Sequence, residues 1–203
     1  MNQRLEQGRA TRNHLVAAAT ELFAARGYEG TSIEAVLERA GVSRGSLYHH
    51  FRGKDALFEA ALLAVEARIG DAVTTAAVAD TTDAVASIRA GCLEWVRLAG
   101  DPVVARIVLI DAPSVLGWER WRAIEEESAL GLMKAAMQSA ADENLVPPAL
   151  VDVYAHVLLA TMNEIALLVA RADDAAIAGT TAEAAVDELL TRLLTPTPGP
   201  RTA

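Results

Sequence analysis

The residues whose types and spacing best suit a chemical task lie between Thr31 and Lys54. Gly41-Val42-Ser43 reads as a tight turn, because Gly41 permits a positive φ and Ser43 supplies a helix cap. Arg44, at the start of the helix that follows, can fork onto a guanine edge or a phosphate. Gly45 leaves the backbone free for a close approach, and Ser46, Tyr48 and His49 can reach phosphates or base edges. Lys54 begins the next helix, where its charge and the helix dipole both favour a phosphate. Thr31 and Ser32 hold the same position on the preceding helix, and His50 stays open between phosphate contact and packing. Val42, Leu47 and Phe51 are apolar and read as anchors, not contacts.

These groups must be positioned by helices. Ala is abundant, and no long run alternates apolar and polar residues, so the chain reads as all-α. A first helix is expected over 7–26, with Leu15, Ala18, Ala19, Leu22 and Phe23 as its apolar stripe and Gly27 as its cap. A second starts at Thr31-Ser32, with Thr31 and Glu34 at capping-box spacing, and stops at Gly41. A third covers 44–50 and a long fourth 54–79. Further helices are expected at 83–99, 102–111, 115–141, 148–172 and 181–194, punctuated by Asp101-Pro102, Ala112-Pro113, Pro147-Pro148 and Gly179-Thr180. The division expected is a helix-turn-helix domain at 1–53, a helical domain at 54–194 and a flexible Pro/Thr-rich tail at 195–203.

Two short helices joined by Gly41-Val42-Ser43 and braced by a longer one are the parts of a helix-turn-helix. The string TSIEAVLERAGVSRGSLYHHFRGKDALFEA closely resembles the N-terminal domain of tetracycline-repressor (TetR) family regulators. The resemblance rests on Gly41-Val42-Ser43, on Ser46 to Phe51 and on Lys54-x-x-Leu57, and extends more loosely to residue 194 as a nine-helix plan. It implies that Thr31, Ser32, Arg44, Gly45, Tyr48, His49 and Lys54 touch DNA. One departure stands out: between Thr31 and Ala40 only Arg39 is basic, while Glu34 and Glu38 are acidic. The second helix is therefore expected to act through Thr31 and Ser32, with salt-sensitive binding resting on few cations.

The overall charge needs care. The chain has 203 residues, with 18 Lys+Arg against 27 Asp+Glu, a net charge of −9. That total argues against a nucleic-acid partner. The first 60 residues, however, carry 8 bases and 7 acids, leaving 10 bases and 20 acids for the rest. An acidic bulk beside a near-neutral reading head would repel DNA from every other face. With one cysteine, Cys92, and no export segment expected, the reading is cytoplasmic. The apolar stretch 155–170 contains His156, Asn163 and Glu164, so no membrane partner is expected.

By resemblance the acidic half would bind a small ligand and form the dimer. A two-fold axis is what reading a palindrome requires. Helix 148–172 is apolar nearly all round and is followed by a second apolar helix, so both are dimer candidates. The expected interface residues are Tyr154, Val157, Leu158, Ile165, Leu168, Val186, Leu189, Leu190 and Leu193. For an effector pocket the candidates are Trp95, Trp118, Trp121, Met133, Met137, Tyr154, Met162 and Asn163, with ordinary core packing as the alternative for each. The run Trp118 to Arg122 would rim an entrance or cap a helix. Few aromatics and many Ala, Val and Leu favour an apolar or amphipathic ligand. Asn163-Glu164, if buried, need partners from a ligand, a second subunit or Arg171.

Enzyme chemistry finds little support. Cys92 has no histidine near it in sequence, and Asp152 with His156 at i, i+4 supply only two metal ligands. The run Glu125 to Glu127 reads as a solvated face, and there is no Gly-rich phosphate loop. No catalytic residue, metal or cofactor is expected. The reading is a homodimeric regulator binding a palindromic DNA operator, a repressor in preference to an activator by resemblance alone. A regulator without a small ligand and a helical-bundle carrier or enzyme are the alternatives.

Overall fold

The structure is a computed structural model and describes residues 2–79 and 83–194. The expected tail at 195–203 lies outside the described residues. Among the described residues the fold is all-α, and contacts divide the chain into two compact units. The first comprises Met1–Ala67 and Asp101–Arg122, the second Arg68–Gly100 and Ala123–Ala203.

The first unit holds α1 (Asn2–Arg26), α2 (Ile33–Ala40), α3 (Arg44–His50) and the start of α4 (Lys54–Ala79). Helix α1 starts earlier than the expected residue 7, since nothing before Gly27 breaks helical backbone. Gly27 ends it at φ +71°. Leu15, Ala19, Phe23, Val36, Leu47, Leu57, Phe58 and Leu62 form the core, each no more than 1% exposed. Phe23 and Phe58 meet edge to face at 5.1 Å. The same unit takes in α6 (Pro102–Val104), a π-helical stretch Ala105–Asp111 and α7 (Ala112–Leu116). The expected break at Ala112-Pro113 is not there. Pro113 lies in the first turn of α7, and the π stretch before it lets the Ala112 N–H reach back to the Ile107 carbonyl. The chain breaks instead at Gly117, whose φ of 80° and ψ of 156° suit glycine alone. Helix α8 (Trp118–Glu125) follows.

In the second unit, α5 (Ala84–Ala99), α9 (Gly131–Asp142), α10 (Val151–Ala170) and α11 (Ala175–Leu193) pack together, α10 against each of the other three. A second π stretch, Glu126–Leu130, leads into α9. Asp83 caps α5, accepting the Ala86 N–H at 2.8 Å. Helix α11 corrects the expectation of a start at 181. Asp174 caps it by accepting the N–H groups of Ala176 and Ile177, each at 3.0 Å, so the helix begins at Ala175 and runs through Gly179-Thr180. One interior glycine costs only about 1 kcal/mol, which neighbouring alanines tolerate.

Segment Pro148–Ala170 is long and apolar enough, by length and composition, to cross a membrane, so its three polar residues do not disqualify it as expected. Its buried side chains pack on α5, α9 and α11, while Val153, Val157 and Leu168 remain exposed.

Candidate nucleic-acid interface

The turn between α2 and α3 follows directly from its residues. Gly41 adopts φ +66°, and the N–H groups of Gly41 and Val42 close onto the carbonyls of Glu38 and Leu37. Ser43 caps α3, its Oγ accepting the Ser46 N–H at 3.2 Å. Leu47 is fully buried and Phe51 nearly so, which fixes the roll of α3 about its axis. That roll leaves Ser43, Arg44, Gly45, Tyr48 and His49 exposed, with Ser46 and His50 half-buried. These residues therefore share one outward face. An added Cβ on Gly45 would find nothing nearer than the Ser43 Oγ at 4.0 Å, so packing does not demand glycine there.

His50 leans toward the packing alternative. A Cβ on Gly8 of α1 would lie 3.9 Å from its ring, which also neighbours Phe51 at 6.4 Å. Arg12, exposed on α1, places its guanidinium over the Phe51 ring, 5.3 Å from the centroid.

Thr31 requires a correction. It is 1% exposed, and its hydroxyl donates to the carbonyls of Gly27 at 2.8 Å and Leu22 at 3.1 Å. The hydroxyl is consumed in joining α1 to α2, so it neither caps α2 nor faces outward. Ser32 is the cap, accepting the Ala35 N–H at 3.1 Å, and remains exposed.

Charge on this face is held in pairs. Arg39 is tied to Glu21 at 2.8 Å through Nε, and Arg44 pairs with Glu34 across the α2–α3 corner. Both pairs are exposed and contribute little to stability. Lys54, the first residue of α4, places its Nζ 4.0 Å from the centre of the Tyr28 ring. The Tyr28 hydroxyl donates to the Asp55 carboxylate, and its backbone N–H donates to Asp111 Oδ2 at 2.7 Å. Burial, then the hydrogen bond to Asp55, raise the Tyr28 pKa, so the phenol stays protonated. Sequence reasoning misses Tyr28, Asp55 and Asp111. Asp111 lies 83 residues from Tyr28 along the chain, and no motif signals the pairing.

The expected effector residues divide between the two units. Trp118 and Trp121 belong to the first unit, their rings 4.9 Å apart. Trp118 is 63% exposed, whereas Trp121 is buried. In the second unit Met137 and Met162 are core residues, while Trp95, Met133 and Tyr154 are half-buried. The Trp95 indole donates to the Met162 carbonyl at 3.3 Å. Asn163 is buried, and its amide donates to Glu125 at 2.7 Å. Its partner is thus neither a ligand nor Arg171, and Glu125, only 4% exposed, is no part of a solvated face. Glu164 is exposed. A surface depression of about 540 Å³ lies along α4 and α5, lined by Arg68, Asp71, Ala72, Thr75, Ala76, Ala79 and Glu94, none of them an expected effector residue.

The expected dimer residues divide similarly. Leu158, Val186 and Leu190 are buried inside the protomer, which corrects their assignment to an interface. Tyr154, Ile165, Leu189 and Leu193 are half-buried, and Val157 and Leu168 are exposed together with Val153, which sequence reasoning misses. His156 and Asp152 make no shared site: the His156 ring nitrogen meets the Asp152 carbonyl at 2.7 Å, and the Asp152 carboxylate pairs with Lys134 at 2.9 Å. Lys134 holds the Asp152 pKa below the usual carboxylate range.

A capped two-helix corner on a three-helix core, with a reading face on the second helix, defines a helix-turn-helix protein. The tetR family model of bacterial regulatory proteins matches residues 15–61, and the tetracyclin repressor-like C-terminal domain model matches 85–193. The chain belongs to the tetracycline-repressor family. It is 35% identical to the HTH-type transcriptional regulator UidR of Escherichia coli (strain K12) over 63 residues, covering 31% of this chain and 32% of that one. The Transposon Tn10 TetC protein of Escherichia coli is 26% identical over 143 residues, 70% of this chain and 72% of TetC. A TetR-family transcriptional regulator from Pectobacterium atrosepticum superposes with a TM-score of 0.82 at 26% identity, covering 95% of this chain and 98% of that one. The chain spans about a third of the length of UidR and of the Shigella flexneri regulator AcrR. Regulators of this family bind DNA operators and act as dimers.

Proposed function

We propose that this chain is a homodimeric repressor that binds a palindromic DNA operator through α3 and is released by a small apolar or amphipathic effector. The observation that carries the reading is the outward face of Ser43, Arg44, Gly45, Tyr48 and His49, fixed by the buried Leu47 and Phe51 beneath it. Arg44 serves the base edges, Ser32, Ser46, His49 and Lys54 the backbone, and Gly45 the close approach. Residues 1–53 form the DNA-binding domain and 54–194 the effector and dimerisation domain. The exposed apolar row Val153, Val157 and Leu168 on α10 supports self-association, since a lone apolar helix face in water is unfavourable. The buried Asn163–Glu125 pair offers an apolar effector a polar point of orientation. Effector binding acts by population shift, favouring a state whose half-site spacing no longer fits. The protein works in the cytoplasm, without a membrane partner, metal or cofactor.

A regulator with no small effector is the second reading, supported by the burial of Met137 and Met162 in the protomer core. Footprinting on the DNA upstream of the gene, with and without a library of small apolar compounds, separates the two. Protection relieved by a compound supports the first reading, and protection no compound relieves supports the second.

A further inference from the structure

The α1–α2 turn is held from below at two points. Gly27 packs so closely on Arg106 that a Cβ there would collide with its guanidinium. Next to it the Tyr28 N–H donates to Asp111, a carboxylate that is itself buried and paired with Arg106 at 3.1 Å. Both anchors belong to the stretch 102–116, far from the helix-turn-helix in sequence. The turn they hold carries the Tyr28 ring, which is also wedged by Phe58 at 5.3 Å and Phe23 at 5.9 Å.

That ring is the seat of Lys54. A π face attracts an ammonium but accepts no strong hydrogen bond from it, so the three N–H donors stay available to a phosphate. The Tyr28 hydroxyl meanwhile engages Asp55, the acid adjacent to Lys54 in sequence, so the phenol competes with Lys54 for that carboxylate. The N-terminus of the 26-residue α4 adds its dipole at the same place.

We infer that Asp111 is a positioning residue for DNA binding: it holds Tyr28, and Tyr28 holds the Lys54 ammonium where an operator phosphate meets α4. The inference rests on the proposed DNA-binding reading. It gives the stretch 102–116 a direct hold on one phosphate contact per protomer, with no part in base recognition.

The test uses full-length protein and a duplex selected by the wild type from a randomised pool, with binding measured across a range of salt. The slope of log K against log salt, read as its steepness, falls by about 0.9 when one phosphate-bound cation is removed. Lys54→Ala is expected to lower the slope by about that amount per protomer. Asp111→Ala and Tyr28→Leu are expected to lower it equally, and Lys54→Ala to add nothing in either background. Tyr28→Leu keeps the backbone N–H for Asp111, so it carries the test if Asp111→Ala does not fold. Thermal unfolding of each variant reports stability separately. If Asp111→Ala and Tyr28→Leu melt lower but keep the wild-type slope, with Lys54→Ala still reducing it, the two residues are structural and the inference fails. If Lys54→Ala leaves the wild-type slope unchanged, Lys54 meets no phosphate and the inference fails at that step. If the wild type selects no duplex, the DNA-binding reading itself fails.

Discussion

Gly45 separates a structural demand from a functional one. It lies at the second position of α3 with no positive φ, and an added Cβ would come no nearer than 4.0 Å to any neighbour. The fold therefore has no need of glycine there, and Gly45→Ala removes backbone entropy from the unfolded chain without introducing strain. The expected gain is about 0.4–1 kcal/mol. In a chain of this size that raises Tm by about 1–4 °C, measurable by circular dichroism. DNA binding should move the other way. The Cβ would project from the exposed face between Tyr48 and His49, into space assigned to the duplex. Overpacking at a close approach costs about 1–3 kcal/mol, roughly one to two orders of magnitude in Kd. Fluorescence anisotropy on a selected duplex, with a random duplex in parallel, measures it. Wild-type affinity in Gly45→Ala would refute the close approach, and a lowered Tm would refute the claim that the site is unstrained.

Other consequences follow from the same geometry. Val157→Glu with Leu168→Glu should yield monomers by analytical ultracentrifugation with Tm little changed, whereas Leu158→Ala should lower stability by about 2–5 kcal/mol, because Leu158 is core. Gly27→Ala should destabilise by more than about 1 kcal/mol, read by urea unfolding, since it combines a φ of +71° with displacement of Arg106. Glu34→Gln should release Arg44 and steepen the salt dependence of binding to random duplex, which a salt titration reads. Burial pushes the Cys92 thiol up to about 12 from its ordinary 9.0. The folded state then holds a proton that the unfolded state loses, so this thiol's contribution to stability declines as pH rises from about 9 to 12. Comparing Cys92→Ala with wild type in urea melts should show the variant's stability falling less over that window.

Local signals read well because their physics is local. Gly41, Ser43 and the spacing of Leu47 and Phe51 determine the turn, the cap and the buried side of α3 within a few residues, and the structure follows them. Thr31 misleads because the capping pattern admits either of two adjacent hydroxyl residues. What decides is a distant carbonyl, that of Leu22, waiting for a donor. Gly179 and Pro113 mislead because breakers are only local penalties. The Asp174 cap and a π stretch each offset one. The exposed row on α10 is legible as an apolar surplus, but which leucines face inward depends on how α5, α9 and α11 pack against it. Glu125 and Asn163 lie 38 residues apart, and their pairing depends on tertiary packing that no sequence periodicity reports.

The central claim is that two α3 helices read one two-fold site. A DNase I footprint of the full-length protein at low salt tests it most directly, run beside Arg44→Ala. The expected result is one protected palindrome with half-site centres about 34–36 Å apart, abolished in the variant at the same protein concentration. No protection by the wild type, or protection that Arg44→Ala leaves intact, would contradict it.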